Sequence, residues 1–227
     1  MNSIIFLPGF LGVKEDWREV QTHLSDYETI ALDLPPTNVL KTLAQTIRSL
    51  SQKPPIVVGY SMGGRLALQL QQSENYEKVI VLSAHPGISS EQERKEVLSR
   101  DERWARLLET VSLEEFLERW YENPLFATLK ARAESFEKML SRRRKNDPKV
   151  CAFQLRSCSG GHFLPLNLPA STAFLYGELD CKYAKLYQSL PSHVTVKMIP
   201  GCGHVAHLED PAACAEKIRE LLRAFKI

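Results

Sequence analysis

The sequence of 227 residues has neither an excess of charge of one sign nor a long apolar run. Its 29 Lys and Arg residues balance 27 Asp and Glu residues, so the formal net charge is only +2. This balance disfavours nucleic-acid binding, because nucleic-acid-binding domains carry a basic surplus. No stretch approaches the roughly 20 apolar residues that cross a bilayer, and the first residues lack the basic start and the length of a signal peptide. We therefore expect no membrane insertion.

Cysteine is scarce and shows no pairing pattern. The cysteines number five, which is odd, and they form no C-x-x-C pair; they are Cys151, Cys158, Cys181, Cys202 and Cys214. This pattern is typical of a reducing compartment rather than of a disulfide framework, and it predicts a cytoplasmic protein. The 44% hydrophobic content is ordinary for a globular chain and excludes disorder, collagen and coiled coil.

Short apolar runs alternate with amphipathic stretches along most of the chain. The pattern predicts helices at 39–50, 65–72 and 211–225, and strands at 3–7, 28–32, 55–58, 78–83, 172–176 and 194–199. Apolar strands that alternate with helices indicate a parallel sheet covered on both faces. The predicted fold class is α/β, with a mostly parallel central sheet.

Residues 89–164 interrupt this alternation. They contain no strand pattern, and helical spacing is found at 91–108, 112–121, 129–144 and 148–157. Segments of this length between sheet elements usually carry function or have structure of their own. We predict a core of residues 1–88 and 165–227 with a helical cap, residues 89–164, inserted into it.

The motif G-x-S-x-G stands at residues 59–63, directly after a predicted strand and before a predicted helix. In that context the motif forms a sharp turn that presents its serine in a strained conformation. The serine then lies at a helix N-terminus, where the dipole favours negative charge. A chance match in a loop is the alternative reading. We predict that Ser61 is catalytic.

A serine becomes reactive when a histidine takes its proton and an acid orients the histidine. With this motif the chain order is serine, acid, histidine. Glu178 and Asp180 follow one predicted strand and His204 follows the last one, so all lie at the carboxyl edge of the sheet. We predict the set Ser61, Asp180 and His204, with Glu178 as the competing acid.

Two further features surround this set. His204 and His207 form G-H-x-x-H, which could be a metal pair, but neither H-E-x-x-H nor a carboxylate cluster supports one, so we predict no metal and no cofactor. The N–H groups of Met62 and Phe10 are the expected oxyanion donors. The loop that carries Phe10 could instead be only a tight turn.

Several blocks extend the pattern beyond the serine motif. They are H-P-G-I at 85–88, R-D-E-R-W-A at 100–105, W-Y-E-N-P-L-F at 120–126, G-E-L-D-C-K-Y at 177–183 and G-H-V-A-H at 203–207. In the order and spacing of these blocks, the chain resembles the 2-succinyl-6-hydroxy-2,4-cyclohexadiene-1-carboxylate synthases of menaquinone and phylloquinone biosynthesis. These enzymes have the α/β-hydrolase fold. The resemblance implies a lyase. Its Ser-His-Asp set removes a ring proton from 5-enolpyruvoyl-6-hydroxy-2-succinyl-cyclohex-3-ene-1-carboxylate, and pyruvate leaves without an acyl-enzyme.

A small-molecule polycarboxylate is therefore the expected partner. Arg65 lies four residues after Ser61, on the same helical face, where a guanidinium can bind a carboxylate; an ordinary helix ion pair is the alternative. The predicted substrate-binding residues are Tyr60, Arg65, Arg94, Trp120 and Arg142. Trp120 could equally be part of the cap core. Relatives tend to carry a second cap arginine at the position that Val97 occupies here, and Arg100 could replace it.

Three other functions compete with this lyase. A serine esterase or carbon–carbon bond hydrolase would use Ser61 as a nucleophile and form an acyl-enzyme. A binding module that keeps only the fold has no need of an intact set of three catalytic residues. Nucleic-acid binding through the basic run at 142–145 lacks interleaved aromatic residues.

Overall fold

The computed structural model describes residues 2–223, which contain a single six-stranded sheet. The strands follow the spatial order β2-β1-β3-β4-β5-β6, and every neighbouring pair is parallel. Their bounds are Ile4–Leu7 (β1), Thr29–Ala31 (β2), Ile56–Tyr60 (β3), Lys78–Leu82 (β4), Thr172–Gly177 (β5) and Thr195–Ile199 (β6). The predicted α/β class with a parallel sheet is confirmed.

In the described part of the chain, six helices lie outside residues 89–164. They are Arg18–His23 (α1), Val39–Leu50 (α2), Met62–Leu70 (α3), Cys181–Tyr187 (α9), Ala206–Glu209 (α10) and Pro211–Arg223 (α11). Between β4 and β5 the chain is helical: Glu91–Thr110 (α4), Leu113–Tyr121 (α5), Ala127–Lys130 (α6), Ala133–Arg143 (α7) and Pro148–Ser157 (α8). Short 3₁₀ turns stand at Lys14–Trp17, Pro124–Phe126 and Gly160–His162.

The apolar alternation of the strands divides the core into two clusters. Ile4 and Phe6 of β1 face a cluster that includes α1, α11 and the apolar side chains of the cap helices. Ile5 and Leu7 face the other cluster, which includes α2, α3 and α9. Since successive side chains of a strand point to opposite faces, four consecutive apolar residues are needed to fill both clusters. The apolar run of β1 is therefore a consequence of a sheet buried on both sides.

A serine is the N-cap residue of the first two helices of the cap, α4 and α5. Ser90 accepts a hydrogen bond from the Glu93 N–H at the start of α4, and Ser112 accepts one from the Glu115 N–H at the start of α5. These bonds satisfy amides that have no carbonyl one turn earlier. The break between α4 and α5 is thus encoded locally by Val111 and Ser112.

The elements differ from the sequence prediction in several places. Helix α3 begins at Met62 rather than at residue 65, the segment predicted at 129–144 is split into α6 and α7, and α1, α9 and α10 were not predicted. With six and seven residues, α1 and α9 are too short for a helical period to stand out. The predicted end of α11 at Phe225 lies outside the described residues.

Two further properties concern the whole described chain. All five cysteines are free thiols, and only Cys181 is exposed. Within residues 2–223, no helix combines the length and the apolar character needed to cross a membrane.

The turn between β3 and α3 depends on close backbone contact. A Cβ atom on Gly63 would lie 2.6 Å from the carbonyl oxygen of Leu7 and closer still to that of Pro8. A Cβ on Gly59 would lie 2.6 Å from the carbonyl carbon of Gly63. Real side chains do not approach backbone atoms this closely, so only glycine lets α3 pack onto the ends of β1 and β3.

We expect the substitution Gly63→Ala to lower the free energy of unfolding by about 1–3 kcal/mol, because the methyl group overpacks against backbone that cannot move freely. Gly160→Ala is the control, since its Cβ would meet Arg65 Nε at an ordinary 3.6 Å, and we expect a change of at most about 1 kcal/mol. Urea unfolding of both variants measures the difference. Equal stabilities would contradict the steric role of Gly63.

Candidate active site

Three strand ends bring the predicted triad residues to one edge of the sheet. Ser61 follows β3 directly, Asp180 follows β5, and His204 follows β6. Because all six strands are parallel, these residues share the carboxyl edge, where ligands bind in open α/β sheets. Ser61 and His204 line the same cavity of about 190 Å³.

Ser61 occupies the sharp turn that the motif predicts. Its backbone has φ 49° and ψ −109°, and its N–H donates to the carbonyl oxygen of Leu82 on the neighbouring strand. A positive φ in a non-glycine residue is strained and persists where surrounding contacts enforce it. Ser61 is also the N-cap residue of α3, so its hydroxyl lies at the positive end of the helix dipole.

Asp180, rather than Glu178, contacts the histidine. The Nδ1 atom of His204 lies 2.8 Å from Asp180 Oδ2, and both side chains are buried. Glu178 instead accepts a hydrogen bond from the Gly201 N–H. With Nδ1 held by the carboxylate, Nε2 of the His204 ring is left for a hydroxyl partner.

The ring of Tyr183 supports this pair. Asp180 caps helix α9 by accepting a bond from the Tyr183 N–H at 3.4 Å, and the Tyr183 ring stacks on His204 with 5.3 Å between centroids. Burial raises the pKa of the Tyr183 hydroxyl to about 12, so the residue stays neutral at physiological pH. The short helix α9 therefore positions Asp180 and places the Tyr183 ring against His204.

One wall of the cavity is aromatic. Phe10 and Trp120 pack edge to face at 5.0 Å, and Trp104 meets Trp120 at the same distance. Phe126 approaches His204 with 6.3 Å between ring centroids. Trp120 thus contacts the cavity and the cap aromatics together, so the two readings of this residue from the sequence are compatible.

The expected oxyanion donors lie at the cavity. Phe10 and Met62 both line it. Met62 is the first residue of α3, where an amide has no carbonyl partner one turn earlier. Phe10 stands in a tight turn closed by the Gly12 N–H on the Gly9 carbonyl at 2.9 Å. The loop is therefore both a tight turn and part of the cavity wall.

Arg65 brings a cation into the cavity without an acid to match it. Within the described residues it makes no ion pair, and its one hydrogen bond goes from Nη2 to the Cys158 carbonyl at 3.2 Å. Its Nε atom is buried without a partner. Burial lowers the pKa of the guanidinium. A mostly buried cation with a free donor is suited to an anionic ligand.

Three more cations line the same cavity, namely Arg100, Lys182 and Arg143. Arg100 is held by Asp101, the only acid among the described lining residues, through Nε at 3.0 Å and Nη2 at 2.8 Å. Lys182 lies with its Nζ 5.3 Å from the centre of the Tyr183 ring. Partial desolvation and then the charge of Arg100 lower the pKa of Lys182. The cavity is therefore strongly cationic.

Tyr60 lines the cavity, whereas two of the predicted binding residues do not. The Arg94 guanidinium donates to the carbonyl oxygens of Ile88 and Ser89, at 2.9 and 2.8 Å. Arg142 bonds Asp16 Oδ1 at 2.8 Å and lines a different surface cavity. The structure brings neither of them to the cavity of Ser61.

Its neighbour Arg143 takes the inward position in the basic run. The side chain is buried, lines the cavity and forms an ion pair with the other oxygen of Asp16. A signal for this was present in the sequence, since Arg143 stands four residues after the apolar Met139 and so on the same helical face. No sequence pattern pointed to Asp16, whose partner is more than 120 residues away.

His207 lies deeper than His204 and faces aromatic rings. It stacks on Trp17 at 4.5 Å and meets Tyr60 at 4.4 Å between centroids. Burial, with a smaller contribution from Arg143, lowers the pKa of His207 to about 3. Among residues 2–223, no group of three or more His, Cys, Asp or Glu side chains could hold a metal ion.

We expect His207 to make the fold sensitive to mild acid. Below about pH 6.5 an unfolded histidine binds a proton, whereas His207 in the folded state does not until about pH 3. The free energy of unfolding therefore decreases as the pH is lowered through that window. His207 contributes up to about 1.4 kcal/mol per pH unit to this decrease. Urea titrations between pH 5 and 7 should show a shallower pH dependence for His207→Phe than for the wild type.

The matched control is His23→Gln, which removes an exposed histidine and should leave the pH dependence unchanged. An identical slope for His207→Phe and the wild type would contradict a neutral, buried His207.

Comparison with known proteins agrees with this architecture. The model of a family described as "Alpha/beta hydrolase family" matches residues 4–217. The structure of MenH from S. aureus superimposes with a TM-score of 0.88 and 25% identity, covering 98% of this chain and 94% of that one. A thermophilic esterase from Thermogutta terrifontis has a TM-score of 0.72 at 18% identity, over 99% of this chain and 90% of its own, and so shares the fold.

Two curated relatives carry the same name. Proteins from Enterobacter sp. (strain 638) and Escherichia coli O1:K1 / APEC, each called 2-succinyl-6-hydroxy-2,4-cyclohexadiene-1-carboxylate synthase, are 31% identical over 97% of this chain and over 91% and 93% of their own lengths. The resemblance found in the sequence is confirmed. The chain belongs to the α/β-hydrolase family and, within it, to the family of 2-succinyl-6-hydroxy-2,4-cyclohexadiene-1-carboxylate synthases.

Proposed function

We propose that this chain is the lyase that converts 5-enolpyruvoyl-6-hydroxy-2-succinyl-cyclohex-3-ene-1-carboxylate into 2-succinyl-6-hydroxy-2,4-cyclohexadiene-1-carboxylate and pyruvate. The observation that carries the proposal is the unpaired guanidinium of Arg65, one helical turn from Ser61 in the same cavity. A pocket for alkyl esters has no use for a mostly buried cation, whereas a substrate with several carboxylates does. The names of the curated relatives support the same reaction.

The proposed chemistry is an elimination that begins with proton transfer. Ser61 takes a proton from the ring while His204 Nε2 takes the proton of the Ser61 hydroxyl, and Asp180 stabilises the imidazolium through Nδ1. The electron pair of the broken C–H bond forms the C2=C3 bond of the ring, the C3=C4 electrons shift to C4=C5, and the bond from C5 to the enolpyruvyl oxygen breaks. The released enolate takes up the proton that His204 gives back and becomes pyruvate. No bond between Ser61 and substrate forms.

Negative charge develops on a substrate oxygen as the ring proton leaves. The amide of Met62 lies at the N-terminus of α3, and the Phe10 amide lies in the facing loop, so both can donate to this oxygen. The aromatic wall around Trp120 limits water near the reacting atoms, which strengthens those hydrogen bonds. We infer that these residues stabilise the enolate-like transition state.

The cations of the cavity form two groups, one of three side chains and one of a single side chain. Two separate groups suit a substrate with several carboxylates. Arg65, Arg100 and Lys182 surround Tyr183 and influence one another electrostatically. Arg143 stands beside Tyr121, with Asp16 behind it. We infer that one group binds the carboxylate nearest the reacting ring carbon and that the other binds a carboxylate at the far side of the substrate.

The proposed function also implies a pathway and a cellular compartment for the protein. We infer that it acts in menaquinone or phylloquinone biosynthesis, in the cytoplasm, without a cofactor, a metal or a nucleic-acid partner. The five free thiols support a reducing compartment. The small net charge of +2 supports the exclusion of nucleic acid.

We expect rapid pyruvate release from the enolpyruvyl-cyclohexene substrate, generated in place by the enzyme that makes it. Ser61→Ala should lower kcat by about 10²–10⁴-fold, because the proton transfer loses its positioned base. A lactate dehydrogenase assay measures the pyruvate. A nitrophenyl ester, tested in parallel, should be turned over negligibly.

Two results would contradict the lyase. One is pyruvate release no faster than the spontaneous rate. The other is efficient ester hydrolysis with an acyl group trapped on Ser61, which would identify a serine hydrolase.

The substitution Arg65→Met distinguishes a role of Arg65 in substrate binding from a role in the stability of the fold. We expect kcat/KM to fall by about 100-fold, mainly through a higher KM, because a buried charge partner of the substrate is lost. The free energy of unfolding should stay equal or rise, since the variant removes a buried cation without an ion-pair partner. Steady-state kinetics and urea unfolding measure the two effects.

The control for this variant is Arg106→Met. Arg106 is an exposed arginine of α4 that pairs with Glu102, and its removal should leave KM and stability nearly unchanged. An unaltered KM together with a marked loss of stability in Arg65→Met would make Arg65 a structural residue.

A further inference from the structure

A buried carboxylate lies beneath the loop that carries His204. Glu209 ends the short helix α10 and is only 6% exposed. Its Oε2 atom accepts a hydrogen bond from the Gly203 N–H at 2.6 Å, and its Oε1 atom accepts one from the Val205 N–H at 3.2 Å. These two amides stand immediately before and immediately after His204. One side chain therefore holds the main chain on both sides of His204.

The cap supplies the third donor to this carboxylate. The hydroxyl of Thr128, on α6, donates to Glu209 Oε1 at 2.9 Å. Gly203 makes room for this contact, because a Cβ there would lie 2.9 Å from the Thr128 Cβ and would collide with its hydroxyl. Three donors around a buried carboxylate leave few of its lone pairs unsatisfied.

A cap arginine holds the backbone at both ends of the same segment. Arg132 donates from Nη2 to the Gly201 carbonyl at 2.8 Å and from Nη1 to the carbonyl of Glu209. The end of β5 closes the remaining side, since the Leu179 N–H bonds the Cys202 carbonyl at 2.7 Å. The loop therefore has contacts to the core and to the cap, with Glu209 at the centre.

We propose that Glu209 is a positioning residue for His204 and that Thr128 makes this positioning depend on the cap. The imidazole is carried by the loop between β6 and α10, and Asp180 contacts it only at Nδ1. By fixing the Gly203 and Val205 amides, Glu209 determines where the Nε2 atom lies relative to Ser61. Small displacements of a catalytic group reduce rate strongly, by about 10²-fold for 1 Å.

Glu209→Gln tests this role with little change of shape. The amide keeps one acceptor oxygen but points an NH₂ group at one of the two backbone donors. We expect kcat for pyruvate release to fall by about 10–100-fold while KM stays within about twofold, since substrate contacts are intact. Thr128→Val, which removes only the hydroxyl from the cap, should produce a smaller fall of the same kind. Glu209→Asp, which keeps both acceptors, should recover part of kcat.

Glu178→Gln is the matched control, because Glu178 also accepts a backbone bond from this loop, at Gly201, but does not flank His204. Its kcat should stay within about twofold of the wild type. All rates are normalised to the folded fraction measured by circular dichroism. A normal kcat per folded Glu209→Gln molecule, or an equal loss in Glu178→Gln, would overturn the proposal.

The inference rests on the proposed lyase only for its kinetic test, so a second readout uses the free protein. NMR of protein labelled with ¹⁵N-histidine reports the Nδ1 proton that His204 shares with Asp180. We expect faster exchange and a shifted resonance in Glu209→Gln, but not in Glu178→Gln. This NMR test does not depend on the lyase activity, so it tests the positioning role even if the wild type releases no pyruvate. An unchanged His204 signal in Glu209→Gln would refute the positioning role.

Discussion

The contact of backbone with backbone where β3 turns into α3 is the constraint on which the site depends. Because Gly59 and Gly63 have no side chains, α3 starts directly against the ends of β1 and β3. This closeness enforces the positive φ of Ser61. It also sets where the first amide of α3 points and where Arg65 emerges one turn later. Ser61, a proposed oxyanion donor and the Arg65 cation thus share one geometric origin.

At Arg65, the needs of substrate binding and the stability of the fold oppose each other. Burying a cation costs free energy that hydrophobic contacts elsewhere must offset. Arg143 and Arg100 are each held by an acid, Asp16 and Asp101 respectively, whereas Arg65 has only a carbonyl oxygen. Of these three arginines, the one without an acidic partner is the closest in sequence to Ser61. This distribution is expected if the missing counter-charge belongs to the substrate.

Local patterns carried most of what could be predicted from the sequence. The apolar runs located all six strands, and the motif at residues 59–63 located Ser61, because such features depend on neighbouring residues. Contacts between distant segments were not predictable in the same way. The basic run at 142–145 pointed to Arg142, but packing of α7 turned Arg143 inward, and Asp16 meets it from the opposite end of the chain. The short helices α1 and α9 were missed because they owe their existence to tertiary contacts.

The carboxylate of Glu209 recognises main-chain amides and no side chain of the histidine loop. This hydrogen bond therefore needs only an N–H at position 205, which every amino acid except proline supplies. Position 203 has no such freedom, since Thr128 fills the space a side chain would need. Evolution can thus vary the chemical lining next to His204 while its backbone frame stays the same, so substrate preference can drift without rebuilding the catalytic machinery.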